Sequence, residues 1–246
     1  MSSTHAGDAR GQIGKSVPRP NARRLVEGKA QFVDDIMLPR MAHVAFLRSP
    51  HAHARIVSLD ERAAAQMPGV LMVATGRDFE QVQPFAGVLA HFKGMKSAKQ
   101  HCVAVDRVCW QGEPVAAVVA ESRHEAEDAL ELIEVDYEEL PVVTDVDAAL
   151  EADSPVIHDE LRDNLCFARE LETEGFSDVW GKADLVVERE FRFPRHTGVC
   201  LEGRSVVGDW LAAEHRLTVY ISHQAPNMVQ DCFAGLLGLP ESAVHP

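Results

Sequence analysis

The chain has no apolar run approaching the roughly 20 residues that a membrane-spanning helix needs. Its opening, MSSTHAGDARGQIGKSVPRPNARR, is polar and basic and lacks an apolar core. That excludes a secretory signal there, and a folded element as well. Positive charge is scarce: 24 Lys and Arg stand against 38 Asp and Glu, a formal net charge of −14. A nucleic-acid binder needs a basic face, so that class is excluded. Cysteine is present but unpatterned. Cys102, Cys109, Cys166, Cys200 and Cys232 are odd in number, and no two have CxxC spacing. This excludes a disulfide framework and a zinc site, and it suits a reducing compartment. None of the five stands out as an iron–sulfur ligand. With no signal segment, the expected location is the cytoplasm.

What is there is ordinary globular material. The 246 residues are 46% hydrophobic and 25% charged, enough for one large or two small domains. Basic residues gather between Arg19 and Arg55, and acidic ones dominate from Glu121 to Glu190. A basic front could meet an anionic partner, but a solvated tail is the favoured reading.

Residues 1–20 are expected to be disordered. HVAFL (His43–Leu47) and ARIVSLD (Ala54–Asp60) have the composition of strands, with a turn at Pro50 between them. ERAAAQM (Glu61–Met67) predicts a short helix closed by Pro68-Gly69, and VLMVAT (Val70–Thr75) a buried strand. Phe85–Gln100 is irregular and predicts a long loop. CVAVDRVCW (Cys102–Trp110) leads to a turn at Gly112–Pro114. The run PVAAVVA that follows is apolar at every position, the mark of a strand buried on both faces.

Ser122, with Glu125 three residues on, predicts a capping box. Ala126, Ala129, Leu130 and Ile133 then fall on one helical face. IEVDY (Ile133–Tyr137) alternates like a strand. Val143–Glu160 is acidic and predicts a linker, followed by a strand KADLVVEREFRF (Lys182–Phe193). At the end, RSVVGDW (Arg204–Trp210), LAAEH (Leu211–His215), RLTVYISHQAP (Arg216–Pro226) and Asn227–Pro246 predict strand, turn, strand, helix. Strands mixed with short helices point to an α+β fold.

Four places could carry chemistry. GQIGKS (Gly11–Ser16) resembles a phosphate loop, but position 9 is Ala9 and the preceding residues are polar, so the motif is rejected. His51 and His53 would share one face of a strand, a geometry open to a metal. No third ligand stands near, and a structural role is favoured. Glu202 could be a catalytic carboxylate, although a local ion pair with a neighbouring arginine is favoured. Gln224 sits where a strand gives way to a helix. Its neutral amide could donate to an oxo or carbonyl ligand, with the helix dipole behind it. From the residues alone, a satisfied polar side chain at a helix start is the better reading.

Several stretches together resemble one family. LVEGKAQFVDDI (Leu25–Ile36), HVAFLRSPHAHARIVSLD (His43–Asp60), PGVLMVATGRD (Pro68–Asp78) and QGEPVAAVVAES (Gln111–Ser122) are similar to the α/β hammerhead domain. That domain opens the molybdenum-binding subunit of the xanthine dehydrogenase and aldehyde oxidase family. RHTGVCLEGRSVVGDW (Arg195–Trp210) and SHQAPNMVQDCFAGLLGLPESAV (Ser222–Val244) resemble the start of the molybdopterin-binding domain that follows it.

The resemblance implies a tail at 1–20, a hammerhead domain at 21–145, a linker at 146–181 and the first part of a molybdopterin-binding domain at 182–246. It implies oxidative hydroxylation of an aldehyde or N-heterocycle with water as the oxygen source. The cofactor would be molybdenum–molybdopterin, in a site completed elsewhere, with [2Fe–2S] clusters and FAD on partner subunits. The expected partners are the remainder of the molybdenum-binding subunit, an iron–sulfur subunit and an FAD subunit. In the S-x-Q-x-P motif of the family the glutamine hydrogen-bonds the apical oxygen of molybdenum, and Gln224 in SHQAP takes that place. The family's GGGFG loop, later pterin loops, substrate arginine and base glutamate have no counterpart in these residues. The expectation is therefore a split or truncated subunit, inactive without the missing remainder. A non-catalytic binding or assembly module with the hammerhead fold is the alternative. No residue is assigned as a catalytic group or metal ligand, and the substrate is not encoded here.

Overall fold

A computed structural model describes residues 14–85, 92–194 and 196–246. The first half builds around one strand. In chain order the elements are α1 (Ala22–Val26), β1 (His43–Arg48), β2 (Ala54–Asp60), α2 (Arg62–Ala65) and β3 (Val70–Thr75). They continue as β4 (Arg107–Val108), β5 (Pro114–Ala120), α3 (Arg123–Leu130) and β6 (Glu134–Glu139). Two antiparallel sheets form, ordered β1-β5-β3 and β4-β2-β6.

β5 is the apolar run PVAAVVA, and its two faces serve two cores. Ala116, Val118 and Ala120 pack with Ala64 of α2 and with Ala126 and Ala129 of α3. Val115, on the other parity, packs with Ala54, Ala104 and Val108. Alternate strand residues point to opposite faces, so a run without polar positions can be satisfied only between two layers. Fully burying each valine stabilises by about 1.5–3 kcal/mol.

Ser122 caps α3 as its spacing predicts, with one difference. Its Oγ accepts from the Glu125 N–H at 3.3 Å. The Glu125 carboxylate takes the Ser122 hydroxyl hydrogen at 2.7 Å rather than reaching the backbone of Ser122. Gly69 makes the room: a Cβ there would lie 2.3 Å from the Glu125 carboxyl carbon, and its φ of +83° favours glycine. Ile133 lies past the helix end yet joins the same core, so the β6 strand begins one residue later than IEVDY suggests.

The stretch expected as a linker from 146 is pinned along its first half. Asn164 Nδ2 donates to Ala149 O, Ser154 Oγ and Pro155 O at 3.2, 3.3 and 2.9 Å. Asp159 pairs with Arg107 at 2.7 Å, Asp163 pairs with Lys96, and the Lys96 N–H donates to Cys166 O at 2.9 Å. Beneath this seam Glu113 is buried at 7% exposure, and its carboxylate accepts from the Cys109 N–H at 2.6 Å.

Burial pushes the Glu113 carboxyl above its ordinary value, against the backbone N–H bonds that lower it. For an acid with a raised folded value the penalty is absent while both states are protonated, below about pH 4.3. It grows as pH rises from there towards the folded value and levels off above it. The unfolding temperature of Glu113→Gln relative to the parent should therefore climb between pH 4 and pH 8. A difference that stays flat across that range would refute the assignment.

The second half is smaller. After α4 (Phe176–Trp180) come β7 (Val206–Leu211), β8 (Arg216–Ile221), α5 (Pro226–Leu237) and β9 (Val244–His245). β7 and β8 are an antiparallel hairpin, closed by a turn at Ala212–Glu214 with His215 at φ +50°. β9 lies parallel to β8, so β8, α5 and β9 make a β-α-β unit. Val219, Ala234 and Val244 form its core. The sequence does not announce β9, because a two-residue strand carries no periodicity.

Other expectations need correction. Lys182–Phe193 is not a strand: it is irregular and exposed, since no described strand lies beside it and an unpaired strand leaves its N–H and C=O groups without a ladder. The helix expected over Glu61–Met67 is only four residues, Arg62–Ala65. The expected loop Phe85–Gln100 is closed at its ends by a bridge between those two residues, and 86–91 lie outside the described residues. Of the tail expected at 1–20, residues 1–13 also lie outside them, as does Arg195. No helix among the described residues is long and apolar enough to cross a membrane.

Candidate functional site

The joint between β8 and α5 is made by its own sequence. β8 ends at Ile221 because Pro226, at the first helical position, cannot extend a ladder but is pre-set for a helix. Ser222, His223 and Gln224 span the bend between them and are all exposed. The first helical bond runs from the Val229 N–H to Ala225 O at 3.1 Å. The N–H groups of Asn227 and Met228 therefore have no intrahelical acceptor, as at every helix start. No acidic residue occupies the first turn, so the positive end of the helix dipole is uncompensated.

Two side chains fix this head, and sequence reasoning did not find either. His223 Nδ1 accepts from the Ala225 N–H at 3.0 Å, doing the work of the absent side-chain cap. Gln230, one turn in, donates through Nε2 to both Glu241 O and Val244 O at 2.8 Å. It ties α5 to the strand that closes the unit. A histidine two residues before an uncapped helix was a readable signal for the first. The second depends on where the chain returns, and no local pattern shows that.

Gln224 stands at the bend with its amide exposed and without a hydrogen-bond partner among the described residues. The donor set suits an oxygen-rich, anionic group: a neutral amide with two free N–H bonds, next to free backbone N–H groups at a positive dipole end. A molybdenum–molybdopterin group, with oxo and phosphate oxygens, fits donors of this kind.

The other candidates are not brought to this joint by their bonding. Glu202 makes no ion pair with an arginine among the described residues; its Oε1 accepts from the Val33 N–H at 3.2 Å, across 169 positions. Val33 is buried, so this carboxylate fastens the second half to the first. His51 and His53 lie ahead of β2 rather than on it. His53 is buried and its Nδ1 meets Pro141 O at 2.7 Å. His51 packs on the Tyr137 ring at 4.9 Å and lies 3.8 Å from Glu139. Among the described residues no three His, Cys, Asp or Glu side chains are placed to hold a metal ion. All five cysteines are free thiols, and burial raises that of Cys109 to about 11. Of GQIGKS, residues 11–13 lie outside the described residues.

Comparison with known proteins follows this division of the chain. Residues 27–141 match the family described as aldehyde oxidase and xanthine dehydrogenase, a/b hammerhead domain, and residues 157–245 match the molybdopterin cofactor-binding domain. The nicotine 6-hydroxylase large subunit of Paenarthrobacter nicotinovorans is 36% identical over 95% of this chain and 28% of its own length. The carbon monoxide dehydrogenase large chain of Afipia carboxidovorans is 34% identical over 90% of this chain and 28% of its own. The crystal structure of quinoline 2-oxidoreductase from Pseudomonas putida 86 superposes with a TM-score of 0.84 at 35% identity. It covers 95% of this chain and 30% of that one. The chain thus spans under a third of the length of these relatives.

Proposed function

Because the chain belongs to the aldehyde oxidase and xanthine dehydrogenase family, we propose that it supplies the front of a molybdenum hydroxylase large subunit. The observation that carries this is Gln224, whose exposed amide, without a partner among the described residues, heads α5 inside the region matching the cofactor-binding domain. When bound, molybdenum–molybdopterin supplies hydroxylation of a substrate carbon with oxygen drawn from water.

The residues here prepare one edge of that site. Gln224 donates a hydrogen bond without adding charge, so it can hold the cofactor without neutralising it. The free N–H groups at the head of α5 favour negative charge beside it. His223 holds the bend, and Gln230 holds the helix on β9, so the donor is preorganised before the cofactor arrives. The rest of the site comes from polypeptide outside residues 1–246, whether on the same chain or another. [2Fe–2S] clusters and FAD, on partner subunits, would take up the electrons that the reaction releases. The substrate is an aldehyde, an N-heterocycle or another small oxidisable carbon compound.

The 246 residues assayed alone with aldehydes and N-heterocycles should show no turnover and retain no molybdenum. The same residues in their assembled complex should carry molybdenum, measured by metal analysis. Turnover by the isolated chain would refute the proposal, and an assembled complex devoid of molybdenum would favour a non-catalytic assembly module.

A further inference from the structure

Residues 157–166 form a strap across the first half, and none of them is buried. Its shape is its own. Asn164 Oδ1 accepts from the Ile157 N–H at 3.3 Å, while Asn164 Nδ2 donates to Ala149, Ser154 and Pro155. The contacts that fasten it to the first half are polar. Arg107 pairs with Asp159, and Lys96 with Asp163. The Lys96 N–H donates to Cys166 O, and the Cys166 thiol to Lys96 O, both at 2.9 Å. The Cys109 thiol meets Ile157 O at 3.8 Å. A segment without a buried apolar anchor belongs to the low-stability end of a fold and can open while the core stays intact. Glu113 lies under this strap, 7% exposed, and its carboxylate accepts from the Cys109 N–H. No lysine or arginine pairs with it among the described residues. His101 and His158 face it, and the adjoining Cys109 faces Arg107, Asp159 and Glu160. His53 faces Asp159 as well.

We propose that Glu113 and the strap at 157–166 form a proton-operated latch, closed over a neutral Glu113 and released by its ionisation. The strap opens the region matching the cofactor-binding domain, and Glu113 lies in the region matching the hammerhead domain, so release frees the head of the second from the first. The latch does not depend on Gln224 or on the proposed function. Under the closed strap, burial holds the Glu113 carboxyl above its ordinary value. With the strap lifted, the carboxyl regains water and its ordinary value of about 4.3. Below that pH it is neutral in both forms, and closure carries no penalty. The penalty grows as pH rises towards the closed-form value and levels off above it. A positive charge on His101 or His158 favours the carboxylate, so loss of a proton from either imidazole also promotes release.

Hydrogen exchange of the full chain from pH 4 to pH 8 tests the latch. The Lys96 amide reports opening, because its acceptor lies on the strap, and the amides of β5 report global unfolding. Each rate is divided by the intrinsic exchange rate at the same pH. The corrected Lys96 rate should rise with pH by up to about tenfold per pH unit between the ordinary and closed-form values, the slope for release of one proton. The β5 amides should stay protected throughout. In Glu113→Gln, which keeps the shape and cannot ionise, the Lys96 rate should stay at the parent's low-pH level across the range. A flat Lys96 rate in the parent overturns the latch without recourse to any variant. A slope that persists in Glu113→Gln assigns the effect to another group and overturns it too. So does loss of β5 protection in step with Lys96, which makes the event unfolding of the whole half.

Discussion

Gln224→Ala in the assembled enzyme should lower kcat by about 10²–10³-fold, the usual cost of losing one preorganised hydrogen-bond donor at a reacting centre. Stability should not change with it. Gln224 is exposed and has no hydrogen-bond partner among the described residues, so removing it leaves no buried group unsatisfied. Gln224→Glu should be at least as damaging. It removes the donor and adds a negative charge beside an electron-rich group, while the helix dipole offsets only about 0.3–1 kcal/mol. Gln224→Asn keeps the amide on a shorter stem and should lie between parent and Ala. Molybdenum content distinguishes two explanations. A variant that retains the metal but turns over slowly has lost a donor; one that loses the metal has lost a binding contact. Unchanged kcat in Gln224→Ala at full molybdenum loading would remove Gln224 from the site.

Val118→Asp should prevent the hammerhead half from folding. Val118 is 0% exposed on the central strand, paired with Ala45 on one side and Val73 on the other. An ionised carboxylate there has no cation among its core neighbours and costs several kcal/mol even after relaxation. Whole domains are stable by only about 5–15 kcal/mol, so a loss of about 4 or more consumes most of it. Val44→Asp, on β1 of the same sheet but 53% exposed, should change stability by no more than about 0.5 kcal/mol. Urea unfolding of the two variants makes the comparison. Similar midpoints would mean that β5 is not buried on both faces, and the two-core description would fall.

These predictions differ in how early they could be made. The burial of Val118 was readable from PVAAVVA, because a strand with no polar position cannot face water. The cap at Ser122 was readable from a serine and a glutamate three apart. Gln224 was readable as a place, between the last residue of a strand and a helix-starting proline. Whether its amide had a partner was not. Glu113 shows the limit most plainly. In sequence it is one residue of a Gly-Glu-Pro turn; in the fold it lies under the seam between residues 107–113 and 157–166. Glu202 shows the same limit from the other side, since its partner among the described residues is a backbone N–H 169 positions away rather than a neighbouring arginine.

The sequence alone determined most of the elements and their order, because helical and strand periodicities and caps act within a few residues. It determined the α+β class and, through its motifs, the family. Tertiary structure decided which polar groups were spent inside the fold and which were left over. Glu113, Glu202 and His53 each meet a backbone group brought to them by folding, while Gln224 meets none among the described residues. It also decided that Lys182–Phe193 is not a strand here. Period-two alternation sets which side chains share a face, but a strand exists only once a second backbone accepts its hydrogen bonds, and no described strand does so.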